Sequence, residues 1–495
     1  MLTYILILIA LILLSLWLYL TIKIIYLRRK YKHIPGPTAQ GILGFYLGIV
    51  KEIEILEGNG KIIEEKFLEW VNIYGPVFKF QIGFNFYVIT TDKTAIKEIC
   101  LTKCFPMPEK EFEKFMFPYG IRFIGYGLST ECNHQRWYHR RSIYNQGFQR
   151  NALMSFLNHF NLKSDLLMEK LSKYADEKTS FNLYEEISGA TIDIIARVLF
   201  QMDLDSINSE NDRSFNKLFV EIVEIMKRHL SDPFAEINPF KISDRKQFKK
   251  LSDLIRNKLK ELTLERLKDD QNNIKDVLSL MIEACIDKEK SNFLDFELLI
   301  DDFITFFLAG TETTVKTLSC CINFLSNHTD ALKKAQKEIF EVVGYKNEIT
   351  YDDLTKLKYC SSVLKETLRL KPAFPSVMRL CNTDFTIKGL QIPINTVIWL
   401  SPYLSGRIEQ NFSDPNDFKP ERFLKSETNQ VDSYAYFPFG LGPRSCIGQN
   451  FSQIESVVIL AKFLQRFDYE VDLNHKANKL LEYFQSDTHY ILTKK

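Results

Sequence analysis

The chain has 495 residues, 45% of them hydrophobic and 25% charged, with a formal net charge of +2. This is globular composition with ample length for a large core, and by length alone it suggests about three domains. So small a net charge excludes a general nucleic-acid-binding surface or an acidic tail, and confines any basic patch to one face.

Residues 1–22, MLTYILILIALILLSLWLYLTI, carry no charge and as a helix are long enough to cross about 30 Å of hydrocarbon. They read as a transmembrane anchor rather than a cleaved signal peptide, because the apolar run exceeds a signal's core and no small-residue cleavage site precedes the charges. Lys23, Arg28, Arg29, Lys30 and Lys32 follow, which by the positive-inside rule leaves the rest of the chain cytoplasmic, in a reducing compartment. The nine cysteines are then buried small hydrophobes or ligands rather than disulfides. No CxxC pair occurs and the eight histidines lie away from the cysteines, which argues against structural zinc. Sequons at Asn327, Asn411 and Asn450 read as chance on this side of a membrane. HIPGP, ending at Pro37, is a stiff turn that closes a basic linker over 23–37 and leaves 38–495 as the globular body.

Two short strands about Gly83 are predicted in VFKFQIGFNFYVITT (77–91). FTIKGLQIPINTVIWL (385–400) predicts a second small β region with a turn at Lys388-Gly389, and no strand is expected beyond it. The remainder has helical period, broken by polar stretches at 205–214, 268–276 and 425–433. Strand–helix alternation and GxGxxG are both absent, so a doubly wound nucleotide fold is not expected. The fold class read from this pattern is mainly α with small β-sheets.

Four stretches carry chemistry. In NHQRWYHRRS, Trp137 stands one helical turn before Arg141, so indole and guanidinium could face one planar partner; the bland alternative is a core tryptophan with basic residues in solvent. Arg136 and Arg140 beside them suggest a basic face for an acidic protein partner. In FITFFLAGTETTVKTL (303–318), Glu312 is the only acid between Asp302 and Asp330. One account has the helix opened at Gly310 into a groove where Glu312 and Thr313 handle protons; the other has threonines bonding back to carbonyls at a helix flaw. Glu366 and Arg369 in SSVLKETLRLKP are three apart, by default a solvated pair worth about 0.2–0.5 kcal/mol. Arg422 in DFKPERF could reach the same carboxylate, and Arg379 beyond KPAFPSVM is ambiguous alone. YFPFGLGPRSCIGQNFSQ (436–453) sets Cys446 just before a helix start, where free N–H groups stabilise a thiolate. Gly440, Gly442 and Gly448 allow close approach to a flat ligand, and Arg444 offers a fork for a carboxylate.

These stretches stand in the order of one family pattern, and the chain resembles a cytochrome P450, a haem-thiolate monooxygenase, from anchor to carboxyl terminus. The motif residues are Phe439, Gly440, Gly442, Arg444, Cys446 and Gly448; Ala309, Gly310, Glu312, Thr313 and Thr314; Glu366 and Arg369; and Arg422. The resemblance implies a single P450 catalytic domain, haem b with Cys446 as axial iron ligand, and Phe439 and Gly440 against the haem. It implies haem propionates held by Trp137, Arg141, Arg379 and Arg444, and a structural triad of Glu366, Arg369 and Arg422. Glu312 and Thr313 would deliver protons, and O2 would be reduced with NADPH electrons passed on by NADPH-cytochrome P450 reductase. Phe303, Phe307, Ala309, Ala373 and Phe374 are the expected walls of an apolar substrate cavity. GLSTECNHQRW, DDLTKLKYCSSVLKETLRLKP and the cysteine stretch look like those of cholesterol 24-hydroxylases, which implies a sterol hydroxylase on the endoplasmic reticulum membrane. The alternatives are hydroxylation of a fatty acid, terpenoid or xenobiotic, a haem-thiolate isomerase or dehydratase, and a non-catalytic sterol-binding membrane protein.

Overall fold

The computed structural model describes residues 2–38, 59–208, 215–232, 238–268, 276–287, 293–424, 431–475 and 488–495, with scattered positions between them. Most of each predicted polar break (209–214, 269–275 and 425–430) lies outside the described residues.

An apolar run without a helix breaker makes the first element. Helix α1 (Leu2–Lys30) is exposed around its apolar length and is the one described helix long and apolar enough to cross a membrane. It continues through Lys23 to Lys30, so the first half of the expected linker is helix continuous with the anchor. The second half is no free tether. Tyr31 and Ile34 are buried. The Tyr31 ring stacks on Phe86 at 5.3 Å and its hydroxyl bonds to Thr396 Oγ1 at 2.7 Å. Lys79 Nζ donates to the carbonyls of Tyr31 and Ile34, at 2.7 and 2.5 Å.

That collar sits on a four-stranded sheet. Strands β1 (Val77–Ile82) and β2 (Asn85–Thr90) form the hairpin predicted about Gly83, with Val77 opposite Thr90. A two-residue strand, β3 (Phe181–Asn182), comes next in the chain. The later β region gives β4 (Val377–Cys381), a hairpin of β5 (Phe385–Ile387) with β6 (Leu390–Ile392), and β7 (Thr396–Leu400). The sheet order is β1-β2-β7-β4, with β2 and β7 parallel and the other pairs antiparallel. Strand content does not end there, contrary to expectation: β8 (Phe467–Val471) and β9 (His489–Lys494) pair antiparallel, and β9 continues onto β3.

The helices that position the site are α2 (Ile63–Tyr74), α3 (His134–Tyr144), α4 (Arg150–Leu171), α5 (Leu183–Phe200), α6 (Phe215–Ser231), α7 (Ile242–Lys268), α8 (Phe296–Asn327), α9 (Lys358–Leu370) and α10 (Gln449–Arg466). Asp295 starts α8 by accepting the Leu298 N–H, and the helix then runs 32 residues, about 48 Å. It packs against α5, α9 and α10, so apolar residues on all sides are what its surroundings demand. One buried apolar cluster joins residues from Tyr119 to Leu492 around it.

Candidate functional site

The stretch around Cys446 is a run of tight turns that ends at α10. Gly442 begins a single 3-10 turn with Pro443 and Arg444. It has φ +73°, and a Cβ there would stand 2.2 Å from the Cys100 carbonyl oxygen, so only glycine lets this turn close on the neighbouring chain. Gly440 is also left-handed, and the Phe439 carbonyl accepts the Cys446 N–H at 2.8 Å. Cys446 is exposed, yet protein surrounds it closely enough that burial pushes its thiol up. The sulfur is thus open to a ligand while crowded by neighbouring atoms. The Gly448 N–H and the Arg141 charge pull the thiol down, but burial outweighs them. The expected helix-terminus effect is therefore present and insufficient by itself; a bound metal ion is what removes the proton from such a thiol.

Three arginines border this region without an ion pair to a carboxylate among the described residues. Arg141 Nη1 donates to the Ser445 carbonyl and Nε to Asn145 Oδ1, both at 2.8 Å. Arg379, only 7% exposed, donates from Nη1 to the Met378 carbonyl at 2.8 Å. Arg444 Nη1 donates to the Glu131 carbonyl at 2.7 Å. Burial lowers the pKa of all three; Arg444 is pushed down to about 10 by burial and then by the charge of Arg379. Arg379 is buried and Arg141 and Arg444 partly so, and the Glu131 charge supports Arg444 less than burial and Arg379 oppose it; cations so enclosed are costly unless an anion joins them. Haem brings two carboxylates on a flat ring, so these residues fit it. The indole of Trp137, itself buried, is covered by the Arg444 guanidinium at 4.0 Å.

On α8, the stretch between Leu299 and Ile322 is buried except at Leu308, Ala309, Gly310, Thr313 and Lys316, with Ala309 the most exposed. Ala309 and Thr313 are one turn apart on one face. The Thr313 hydroxyl donates to the Ala309 carbonyl at 2.6 Å, the back-bond of the bland account, and the helix is continuous there rather than opened. Gly310 serves a crossing: a Cβ would stand 2.5 Å from Ile195 Cδ1 on α5. Glu312 does not meet Thr313. Its carboxylate accepts the Tyr184 hydroxyl at 3.0 Å and lies 3.4 Å from Lys316 Nζ and 3.7 Å from Lys227 Nζ. Burial raises its pKa, but the two lysines and the tyrosine together outweigh burial and leave it below the ordinary value, so it is ionised at neutral pH.

The expected cavity wall needs correction. Phe303 and Phe307 have no exposed surface; their rings stack at 6.2 Å and pack on Phe200 at 4.3 and 5.3 Å, filling the space between α5 and α8. Ala309 and Phe374 are exposed and Ala373 partly so. The pair Glu366–Arg369 is not solvated. Both side chains are fully buried, joined by two 2.7 Å hydrogen bonds, and Arg369 also donates to the carbonyls of Gly406, Pro415 and Asp417. Arg422 Nε stands 3.4 Å from Glu366 Oε1. Breaking such a buried pair typically costs about 3–5 kcal/mol, far above the surface value.

Arg140 is also misplaced by the sequence reading. It is 1% exposed and ion-paired to Glu131 and Asp302, and Arg136 is exposed but tied to Glu131, so the two do not form a free basic face. Sequence reading missed this buried network, although the adjacent acids Asp301 and Asp302 at the head of an apolar helix were a signal that could have revealed it. It also missed Glu455, which is fully buried on α10 and accepts the Thr314 hydroxyl at 3.2 Å.

A family model described as Cytochrome P450 matches residues 43–489. Cytochrome P450 3A12 of Canis lupus familiaris is 30% identical over 476 residues, covering 92% of this chain and 90% of that protein. Cytochrome P450 3A6 of Oryctolagus cuniculus is 28% identical over 455 residues, with 89% and 87% covered. Cytochrome P450 3A7 of Homo sapiens is 28% identical over 476 residues, with 92% and 90% covered. Likeness of this extent, on a chain that crowds unpaired arginines around one enclosed cysteine, leaves one assignment: the chain belongs to the cytochrome P450 family, oxidoreductases that bind haem and act as monooxygenases on O2 with NADPH electrons passed on by a reductase.

Proposed function

We propose that the chain hydroxylates a lipophilic substrate, in the first instance a sterol, in the cavity between Cys446 and the Ala309–Thr313 face. It works as a single-pass protein of the endoplasmic reticulum membrane with its catalytic body in the cytoplasm. The observation that carries the reading is the accessible turn in the middle of an otherwise buried helix, because an oxygen site needs space and a hydroxyl there. The sterol class rests on the three stretches that look like cholesterol 24-hydroxylases; the apolar Ala309, Ala373 and Phe374 suit any lipid of that size. The topology rests on an apolar helix exposed all round and on the basic residues that end it.

Haem bound through a thiolate supplies oxygen activation and insertion into a C–H bond. The chain's own residues bind, orient and move protons. Cys446 holds the iron, while Arg141, Arg379 and Arg444 hold the carboxylates and Trp137 backs Arg444. Thr313 can turn its hydroxyl from the Ala309 carbonyl into the cavity as the last donor. Glu312, ionised among its partners, accepts a proton rather than storing one, and must leave the Lys227 and Lys316 charges to pass it on.

The test is a spectral-shift titration with sterols, fatty acids, terpenoids and xenobiotics, followed by reconstituted turnover with reductase. A sterol that shifts the spectrum and yields hydroxylated product matched to NADPH consumed supports the reading. A hit confined to another lipid class replaces the substrate, turnover without NADPH points to an isomerase or dehydratase, and no stimulation by any lipid leaves a binding protein.

A further inference from the structure

Asp302 has no exposed surface and lies near the head of α8. Its two oxygens accept Arg140 Nη1 at 2.8 and 2.9 Å, the Leu128 N–H at 2.6 Å and the Tyr144 hydroxyl at 2.5 Å. Arg140 uses its other terminal nitrogen, Nη2, to bridge the Tyr126 carbonyl at 2.9 Å and Glu131 Oε2 at 3.1 Å. The main-chain carbonyl of that same Glu131 receives Arg444. Trp137 lies three residues before Arg140 on α3, and Arg141 one after it.

We infer that Asp302, Arg140 and Glu131 are positioning residues for the haem: one buried network that sets Trp137, Arg141 and Arg444 in place from α8, the same helix that carries Ala309 and Thr313. The inference rests on the haem-binding reading above. A lone Arg140–Asp302 pair would fix only the distance between α3 and α8. The link through Glu131 extends that fixation to the cysteine loop, so both walls of the cavity are referred to one point. Outer residues that orient ligand-holding groups typically change affinity by about 10–100-fold when removed.

Asp301, the next residue, supplies the control. It is equally buried and accepts Arg122, Arg256 and the Tyr126 N–H, and so pins the 122–126 segment and α7 to α8. The two clusters meet at Tyr126, whose N–H serves Asp301, whose carbonyl serves Arg140 and whose ring lies against both Arg122 and Arg136.

The experiment compares Asp302→Asn, Tyr144→Phe and Asp301→Asn as purified full-length holoproteins. It measures haem loss to excess apomyoglobin and the reduction potential, with thermal midpoints taken alongside. Asp302→Asn should shed haem about tenfold faster than the parent and shift the potential. Tyr144→Phe, which removes one hydroxyl and is safe for folding, should move both readouts the same way by a smaller factor. Asp301→Asn should lower the thermal midpoint with haem loss within about twofold of the parent, the outcome expected of a purely structural ion cluster. Equal haem loss from Asp302→Asn and Asp301→Asn overturns the inference, as does parental behaviour of Tyr144→Phe if Asp302→Asn does not fold. A parent chain that never takes up haem overturns the haem-binding reading instead.

Discussion

Glu455 is a carboxyl with no cation beside it among the described residues. Burial raises its pKa well above the ordinary value, and only the Thr314 hydroxyl, bonded to it across the α8–α10 crossing, pulls the other way. An unfolded glutamate titrates near about 4.3. Above that pH the unfolded chain has lost a proton that the folded chain keeps, so stability falls as pH rises from the unfolded value towards the raised folded one. Glu455→Gln removes the proton and keeps the shape. Its stability advantage over the parent should grow from acid to neutral pH and vanish below the unfolded value, which thermal midpoints across that range measure. Thr313→Ala tests the other residue on the same helix turn. Haem and substrate binding should persist, while peroxide rises at the expense of product for each NADPH consumed. Acid–base contributions run to about 10²–10⁴-fold, but water can replace part of a hydroxyl, so the change should be largest in partitioning. Parental coupling would leave the threonine with its back-bond alone. The tight turns before Cys446 were legible because glycine and proline make them. Glu455 was not, since a glutamate within a helical apolar pattern is normally turned to water.

Among elements, long helices announce themselves through period, and α8 and α10 lie where the pattern put them. Strands β8 (Phe467–Val471) and β9 (His489–Lys494) escaped because they lie far apart in the chain, without the short turn that marks β1 and β2 as a hairpin. The end of α1 escaped for another reason: charged residues after an apolar run look like a linker whether or not tertiary contacts extend the helix. The structure separates two truncations that the sequence treats alike. Removing 1–22 should weaken membrane association and leave haem uptake intact. Removing 1–36 also takes Tyr31 and Ile34 from an apolar cluster that includes Cys100 and Phe437, next to the cysteine loop. Haem content per chain should then fall sharply, with a lowered thermal midpoint. Equal haem content in both truncations would show that the collar is dispensable.

At the scale of the molecule, where length alone suggests about three domains and the family resemblance one, a single long helix packs against elements from both halves of the chain. Charge was misread. An arginine's exposure depends on acids far away in sequence, and Asp302 stands 162 positions from Arg140. Arg140→Glu should therefore prevent a stable haem-loaded fold, by setting three acids together in the interior. Arg136→Glu should leave the fold intact. If the outer face of α3 receives the reductase, that variant slows the first electron transfer chiefly at low ionic strength, where long-range attraction is least screened. Stopped-flow reduction over a salt series reads the effect, and an unchanged salt slope excludes Arg136 from the encounter.

The collar at Tyr31 has a consequence for how this protein tolerates insertion. Adding one residue to a helix rotates everything before it by about 100° and displaces it by about 1.5 Å. Over residues 3–22 the apolar span has no polar side to lose, so lipid is indifferent to its rotation. An alanine inserted after Ile22 should therefore leave membrane integration and haem content unchanged. The same alanine between Tyr31 and Ile34 must pull one of them out of its seat, and haem content should drop. The apolar span has no angular phase, and the ring of contacts below it has a strict one.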